Sequence, residues 1–323
     1  MYESDDEPAL DASIERLARD PRVKSVQRNQ PFEALDAPRP AYRTLEYGAV
    51  AIRADLAHRT STGKGVRVGV VDTGVDRKHR ELHSRVVKSV NFVEHGEANF
   101  DDDRHGTAVA GIIGARDGQR TKVLGIAPDA ELVAIKACWH PSAGAKAVCS
   151  SWTLAKAVDY AIDAGAQVLN MSLAGPADPL LARLLAAAHA RGMTIVAATA
   201  DGSAGPGFPA SLDAVVAVVA SDARDRVPPR AWAARKPLLA APGVEVVTTV
   251  PHDGYDLMSG TSFAAAHVSG VVALLLQRAP GLGPARVAEI MTLTSRRAAD
   301  GGAVGIVDAC AALSHLSAED ACR

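Results

Sequence analysis

Five continuous runs of valine, isoleucine, leucine and alanine constrain the fold of this chain more than any other feature. They lie at 66–72, 131–137, 167–173, 193–199 and 214–220. Strands buried on both faces have such runs, whereas strands with one exposed face alternate apolar and polar residues. Helical patterns lie between the runs, beginning near His105 and extending across 151–164 and 178–191. The sequence therefore predicts an α/β fold, a three-layer doubly wound and mostly parallel sheet with helices on both faces.

Composition and charge exclude several classes of protein. The chain has 323 residues, of which 48% are hydrophobic and 22% charged, and its formal net charge is -2. A large core is therefore expected, and there is no electrostatic basis for binding nucleic acid. The apolar run at 271–276 is too short to span a bilayer, and the acidic residues 1–11 lack the apolar segment of a signal peptide. We expect no nucleic-acid partner, no membrane association and no signal peptide in this chain.

Four cysteines form two close pairs along the chain. Cys138 and Cys149 flank one short loop, and Cys310 and Cys322 flank another near the C-terminus. Two local disulfides would indicate an oxidising compartment, whereas four free thiols would suit the cytosol. We expect the disulfides, and the free thiols remain the alternative. No pair has the Cys-x-x-Cys spacing of a structural zinc site, so the sequence predicts no metal ligands there.

Polar residues at the ends of the buried runs are the first candidates for a functional site. In open parallel sheets, working groups collect at the carboxyl ends of the strands. Asp72 ends the first run, Ser172 lies near the end of the third, and the loop 199–205 follows the fourth. A carboxylate in such a place is costly unless a donor or a cation meets it.

A serine near the start of an apolar helix is a candidate nucleophile. The stretch 259–277 predicts a helix buried on nearly every side, with Ser262 in its first turn. Unpaired backbone N–H groups and the helix dipole stabilise an anion there. The alternative is an ordinary structural cap, since serine and threonine are common at helix starts.

His105 completes a set of three residues with Asp72 and Ser262. It precedes a small-residue helix and follows the acidic run Asp101–Asp103. We interpret this run as a solvent-exposed face whose charge slightly favours a protonated His105. A serine hydroxyl becomes a good nucleophile when an imidazole takes its proton and a carboxylate stabilises the imidazolium. The chain order Asp, His, Ser is one of those known for such triads.

Five motifs occur along the chain in the order that they have in a known protein family. They are VVDTGVD around Asp72, RHGTAVAGIIGA around His105, GIAPDAELVAIKA at 125–137, NMSLAGP at 170–176 and GTSFAAAHVSGVVALLL around Ser262. Together they resemble the subtilisin-like serine proteases, the subtilase family, over roughly residues 45–312. The resemblance implies an endopeptidase with Ser262 as nucleophile, His105 as general base and Asp72 as the orienting carboxylate, and with no required cofactor.

The same resemblance implies where a peptide substrate binds. Ser172, Leu173, Ala174 and Gly175 correspond to the segment that pairs with the substrate and forms one pocket wall, and Ala197–Ala198 correspond to another wall. An extended peptide would add a strand there through main-chain hydrogen bonds. Ala174 replaces a usual glycine and narrows the entrance, so we expect small or medium apolar residues before the scissile bond.

Two departures from the family pattern bear on activity. Asp201 stands where the family has the asparagine that donates to the oxyanion, and an ionised carboxylate cannot donate. A protonated Asp201, a hydroxyl from Thr199 or Ser203, or a weak enzyme are the three alternatives. Ala266 replaces the proline that the family has before the helix histidine. Proline would bend the helix just after Ser262, so we expect its absence to shift the nucleophile slightly. The alternative function is a catalytically weak or inactive pseudoprotease that binds peptides or proteins.

The remaining expectations concern organisation and location. We divide the chain into a partial inhibitor-type propeptide with its linker (1–40), the catalytic domain (41–315) and a tail (316–323). A helix over 8–21 and a strand around Val23 and Val26 carry the propeptide resemblance. Glu81 corresponds to a structural calcium ligand in many subtilases. We expect a monomer that is secreted or periplasmic, with a cytoplasmic location as the alternative, and its own N-terminal segment as a partner.

Overall fold

A computed structural model of the chain describes residues 7–23, 47–93, 99–116, 123–142, 145–200, 205–228, 238–317 and 322. The chain forms two compact units, Met1–Pro40 and Ala41–Arg323. In the first unit, helix α1 (Glu7–Ala18) occupies the predicted helical stretch and ends just before Asp20. Of the predicted strand, Val23 is described and lies in no strand, whereas Val26 and the linker up to residue 40 lie outside the described residues.

The second unit is built on a nine-stranded sheet with the order β12-β13-β9-β8-β7-β6-β1-β3-β2. All neighbouring strands run parallel except β12 and β13. Its strands are β1 (Arg67–Asp72), β2 (Val86–Asn91), β3 (Glu131–Lys136), β6 (Val168–Met171), β7 (Thr194–Ala198), β8 (Val215–Ser221), β9 (Leu239–Pro242), β12 (Arg296–Arg297) and β13 (Gly305–Ile306). Two antiparallel hairpins complete the strands: β4 (Cys138–Trp139) with β5 (Val148–Cys149), and β10 (Val246–Val250) with β11 (Gly254–Met258).

Helices cover both faces of the sheet. They are α2 (Gly48–Ala51), α3 (Ala54–Ala57), α4 (Arg104–Gly114), α5 (Ser151–Asp163), α6 (Pro179–Ala190), α7 (Thr261–Arg278), α8 (Pro284–Leu293) and α9 (Ala309–Ser314). One buried layer joins α4 and α7 to the sheet, and a second joins α5 and α6 to the opposite face. Alternate residues of each central strand enter different layers: Val70 packs towards α7, and Val71 packs towards α5. The three-layer α/β prediction is confirmed.

The five predicted runs became β1, β3, β6, β7 and β8, the centre of the sheet. The sequence did not predict β2, β9, β12 and β13, of which β2 and β12 form the two edges of the sheet. Strand β2 carries Lys88 and Ser89 and is partly exposed, so it lacks the continuous apolar run of a buried strand. Strands β12 and β13 have two residues each, too few for any periodicity to be read.

Both cysteine pairs are disulfides in the structure. Cys138 is joined to Cys149, and Cys310 is joined to Cys322. The first bond closes the β4–β5 hairpin, in which the two cysteines are cross-strand partners. Within the described part of the chain, no helix is long and apolar enough to cross a membrane.

Gly106 allows α4 to approach the end of β1. A Cβ atom at this position would overlap the carbonyl oxygen of Gly74 and lie 3.2 Å from the Cβ of Asp72. We expect Gly106→Ala to lower the unfolding free energy by about 1–3 kcal/mol, because neither backbone can give way without strain. Thermal unfolding followed by circular dichroism measures this. Gly281→Ala is the matched control, since a Cβ there meets nothing within 4 Å. Equal melting temperatures for the two variants would contradict the prediction.

Candidate active site

Asp72 ends β1 and lies almost completely buried beside α4. Its Oδ1 accepts hydrogen bonds from the Thr73 backbone N–H at 2.8 Å and from the Thr73 hydroxyl at 3.1 Å. The same oxygen lies 2.7 Å from Nδ1 of His105. A carboxylate only accepts, so Nδ1 carries the hydrogen in this bond. The buried carboxylate predicted from the end of the first run therefore meets its donors at Oδ1, whereas its buried Oδ2 has no hydrogen-bond partner among the described residues.

His105 lies in the first turn of α4, where Asp72 accepts a hydrogen bond from its ring and Asp103 accepts one from its backbone N–H. Asp103 caps the helix, with its Oδ1 accepting the His105 backbone N–H at 3.1 Å. The imidazole packs at a tilt against the ring of Phe263, with 5.5 Å between ring centroids. Burial lowers the pKa of His105, but the charge of Asp72, the hydrogen bond to Asp72 and the charge of Asp103 outweigh it, so the pKa is raised above its ordinary value. The site therefore stabilises an imidazolium.

Ser262 is the second residue of α7, directly before the phenylalanine that packs on His105. The helix begins after Gly260, whose φ of 153° suits glycine. The hydroxyl of Ser262 donates to the carbonyl oxygen of Ser172 at 3.1 Å, and the Ser172 hydroxyl donates to the carbonyl oxygen of Ser262 at 2.9 Å. Among the described residues, no hydrogen bond joins Ser262 to His105. The packing of α4 against α7 nevertheless brings all three predicted residues to one edge of the sheet.

Ala266, which stands where the family has a proline, does not interrupt α7. The helix continues from Thr261 to Arg278 through Ala266. His267, the next residue, is buried, and its Nδ1 lies 2.8 Å from the carbonyl oxygen of Phe263. Burial lowers the pKa of His267 to about 4 despite that hydrogen bond, so this side chain is a neutral core histidine.

The described residues narrow the alternatives for the oxyanion donor. Asp201 and Ser203 lie outside them. The Thr199 hydroxyl is buried and donates to the carbonyl oxygen of Val218 at 3.0 Å. Its only hydrogen is therefore committed to the neighbouring strand, which argues against Thr199 as a substitute donor.

The predicted substrate-binding residues fall into two groups. Ser172 to Gly175 leave the end of β6, with Ala174 and Gly175 exposed to solvent. Gly175 exchanges backbone hydrogen bonds of 2.8 and 3.1 Å with Phe208. By contrast, Ala197 and Ala198 lie on β7 with 0% and 3% exposure, and they pack into opposite core layers. Ala197 has no exposed surface with which to line an open pocket.

The sequence did not predict that two charged residues are buried beside the site, although it predicted that the charge of the run 101–103 favours a protonated His105. The interpretation of Asp101–Asp103 as a solvent-exposed face is wrong for Asp103, which is 7% exposed and accepts a hydrogen bond from the Thr73 hydroxyl. Lys136 ends β3 directly beside Asp72, is buried and donates to the carbonyl oxygen of Thr73. A lysine inside the apolar run 131–137 and an acid directly before a helix were the available signals.

Glu81 does not form part of a metal cluster in the described residues. No group of three histidine, cysteine or carboxylate side chains that would suit a metal is found among them. Glu81 is buried and accepts a hydrogen bond from the Tyr255 hydroxyl at 2.8 Å. The resemblance would place the partner ligands of Glu81 in the loop 117–121, which lies outside the described residues.

Comparisons with known proteins cover most of the chain. Residues 63–308 match the family model described as Peptidase S8, subtilase family. The chain is 34% identical over 265 residues to Subtilisin DY of Bacillus licheniformis, covering 80% of this chain and 94% of that protein. It is 32% identical over 239 residues to Thermitase of Thermoactinomyces vulgaris, covering 73% and 84%. It is 34% identical over 271 residues to Alkaline elastase YaB of Bacillus sp. (strain YaB), covering 83% and 67%.

These matches favour the endopeptidase over the non-cleaving alternative, and proteins of this kind hydrolyse peptides or proteins without a cofactor. The parallel sheet and the bonded Asp72 and His105 at its edge agree with them. Because the family model matches most of the chain and the relatives match it along much of their own length, this chain belongs to the subtilase family and is a serine endopeptidase.

Proposed function

We propose that Ser262 is the nucleophile of this endopeptidase, His105 its general base and then acid, and Asp72 the carboxylate that orients His105. The 2.7 Å contact between His105 Nδ1 and Asp72 Oδ1 carries this proposal. It fixes the hydrogen on Nδ1, which leaves Nε2 of the neutral ring free of hydrogen and able to accept the proton of a serine.

The reaction then follows from these protonation states. His105 Nε2 takes the Ser262 hydroxyl proton while Oγ bonds to the scissile carbonyl carbon, giving a tetrahedral oxyanion. The imidazolium returns that proton to the leaving amine as the C–N bond breaks, and an acyl-enzyme remains. Water repeats the sequence, with His105 as base and Ser262 as leaving group. The raised pKa of His105 is consistent with this role, because the site stabilises the imidazolium formed in each step.

The Ser262 hydroxyl must leave its present partner before it attacks. It donates to the Ser172 carbonyl oxygen, so rotation about the Cα–Cβ bond has to redirect its hydrogen to His105. Catalytic hydrogen bonds are often absent without substrate and form in the complex. Covalent labelling by a fluorophosphonate tests the proposed roles, because only an activated serine reacts.

The oxyanion would meet the start of α7 and the side chain of residue 201. The backbone N–H of Ser262 and the positive end of the helix dipole are suited to an anion there. We infer that Asp201 supplies the second donor only when it is protonated. With Thr199 bonded to Val218, Ser203 is the remaining hydroxyl candidate.

We expect Asp201→Asn to raise kcat at alkaline pH by about 100-fold or more, because one oxyanion donor contributes about 100- to 1,000-fold. The wild-type kcat should rise as pH falls until His105 becomes protonated, and the variant should lose that rise. Steady-state kinetics from pH 5 to 9 measure both effects. Ser203→Ala is the control and should leave kcat near the wild-type value. A flat wild-type profile, or no gain in Asp201→Asn, would contradict the role given to Asp201.

We further propose that the substrate pairs with the backbone of Ser172 to Gly175 and that the pocket prefers small or medium apolar side chains. The exposure of Ala174 supports a strand-adding mode at this segment, whereas the backbone N–H and carbonyl of Gly175 already pair with Phe208. The name of one relative, an alkaline elastase, agrees with a preference for small residues. Cleavage of a peptide library mainly after arginine or lysine would count against this preference.

The remaining proposals concern the whole chain. We propose that residues 1–40 are a partial propeptide, that 41–315 form the catalytic domain and 316–323 a tail, and that the protein is a monomer. The two disulfides support a secreted or periplasmic location, where thiols are oxidised. Structural calcium at Glu81 stays a prediction.

A further inference from the structure

Asp103 is a buried carboxylate beside the catalytic base, and the mechanism above does not use it. Its Oδ1 accepts hydrogen bonds from the Thr73 hydroxyl and from the His105 backbone N–H. The Thr73 hydroxyl also lies 3.1 Å from Oδ1 of Asp72. One hydroxyl hydrogen therefore faces two carboxylates, which links Asp103 to the acid that orients His105.

The buried charges around this link do not cancel. Asp72 and Asp103 contribute two negative charges, and Lys136, which donates to the Thr73 carbonyl oxygen, contributes one positive charge. The remaining negative charge favours one imidazolium nearby. Two histidines are placed to carry it, His105 against Asp72 and His140 against Asp103.

His140 lies in the segment between β4 and β5, which the Cys138–Cys149 disulfide closes. Its Nδ1 lies 2.8 Å from the carbonyl oxygen of Ala145, and its Nε2 lies 3.3 Å from Oδ2 of Asp103. A carbonyl oxygen and a carboxylate both only accept. The Nε2 contact with Asp103 is therefore an ion pair when the ring carries both hydrogens, and it is no attraction between charges when the ring is neutral.

The other charged side chains near the start of α4 form ion pairs that do not include Asp103 or His140. The pairs among the described residues are Arg104 with Asp256, Asp102 with His252, and Asp101 with Arg77 and Lys78. Most of these side chains are exposed enough for solvent to screen them; the His140 side chain is itself 42% exposed, but its partner Asp103 is 7% exposed. Asp103 and His140 are the pair that connects the hairpin to the buried cluster.

We propose that Asp103 is a positioning residue of this endopeptidase that couples His140, in the disulfide-closed hairpin, to the base His105. With His140 protonated, the charge of Asp103 is compensated and His105 gives up its proton at lower pH. With His140 neutral or absent, Asp103 stabilises the His105 imidazolium more strongly. This inference rests on the proposed role of His105 as general base.

The acid limb of the pH profile of kcat/KM tests the coupling. Asp103→Asn keeps a helix cap of equal quality and removes the charge, so we expect the limb to move to lower pH by roughly half to one unit. His140→Gln removes the compensating cation, so the limb should move in the opposite direction. In the double variant the limb should stay at the Asp103→Asn position, because the effect of His140 passes through Asp103.

Asp102→Asn is the matched control, since it removes a more exposed acid one residue earlier and should leave the limb unchanged. The proposal is overturned if the acid limb of Asp103→Asn does not move. It is also overturned if His140→Gln shifts the acid limb by the same amount whether or not Asp103 is present. Fluorophosphonate labelling of the wild type separates this from the proposed function. If the wild type is active and is labelled by the fluorophosphonate, but the acid limbs of the variants do not move, only the coupling is refuted. If the wild type is not labelled, the triad roles are refuted.

Discussion

Replacing Ser262 with alanine is expected to lower kcat by about 10⁶-fold, the size known for removing the nucleophile of a subtilisin. The variant retains the fold, because the lost hydroxyl makes one hydrogen bond, to the Ser172 carbonyl oxygen. Hydrolysis of a chromogenic peptide and the mass added by a fluorophosphonate measure the loss. Ser259→Ala is the matched control: its hydroxyl lies three residues earlier and accepts from the Glu245 backbone N–H at 2.8 Å. Labelling that persists in Ser262→Ala would refute the nucleophile assignment.

Comparison of the wild type with Ser262→Ala also tests the proposed role of the N-terminal segment. If residues 1–40 act as a propeptide cleaved by the enzyme itself, wild-type protein should lose a fragment ending between Phe32 and Thr44. Ser262→Ala should remain intact. Identical intact masses for the two proteins would argue against self-processing, without bearing on activity towards other substrates.

Replacing Asp72 with asparagine is expected to lower kcat by about 10⁴-fold. The asparagine amide can donate to Nδ1 of His105, which moves the ring hydrogen to Nε2 and leaves no acceptor for the Ser262 proton. The pKa of His105 should also fall, because the charge and hydrogen bond of Asp72 both raise it. The residual activity should therefore extend to lower pH than that of the wild type.

Steady-state kinetics across pH, with circular dichroism to verify folding, test the Asp72 prediction. Asp102→Asn is again a suitable control, because its side chain is 56% exposed and faces His252 rather than His105. Near-normal kcat in Asp72→Asn would mean that another group orients the imidazole. An acid limb shifted to higher pH would mean that Asp72 does not stabilise the imidazolium.

The centre of the fold could be predicted because burial on both faces leaves a continuous apolar run in the sequence. The runs that became β1, β3, β6, β7 and β8 carry that pattern. Strand β2 lacks that pattern because it is partly exposed, and β12 and β13 have two residues each, too few to show a period. Strand β9 is buried, but it has only four residues and includes Pro242.

The acidic run 101–103 shows how local pattern misleads near a site. Three consecutive aspartates are usually solvated, and Asp102 behaves in that way. Asp103 is buried because it caps α4, and the cap position turns its side chain towards Thr73 and His105. Adjacent aspartates thus have different environments, because only Asp103 occupies the N-cap position of α4.

By itself, the sequence determined the parallel α/β sheet, the family and the positions of Asp72, His105 and Ser262, because each lies in a local motif of buried or turn-forming residues. Only the tertiary structure decided that Asp103, Lys136 and His140 surround Asp72 and His105. Their contacts join the end of β1 to the end of β3, the start of α4 and the disulfide-closed hairpin. Such contacts depend on how distant segments pack together, and no local spacing encodes which charged side chains will share one buried volume.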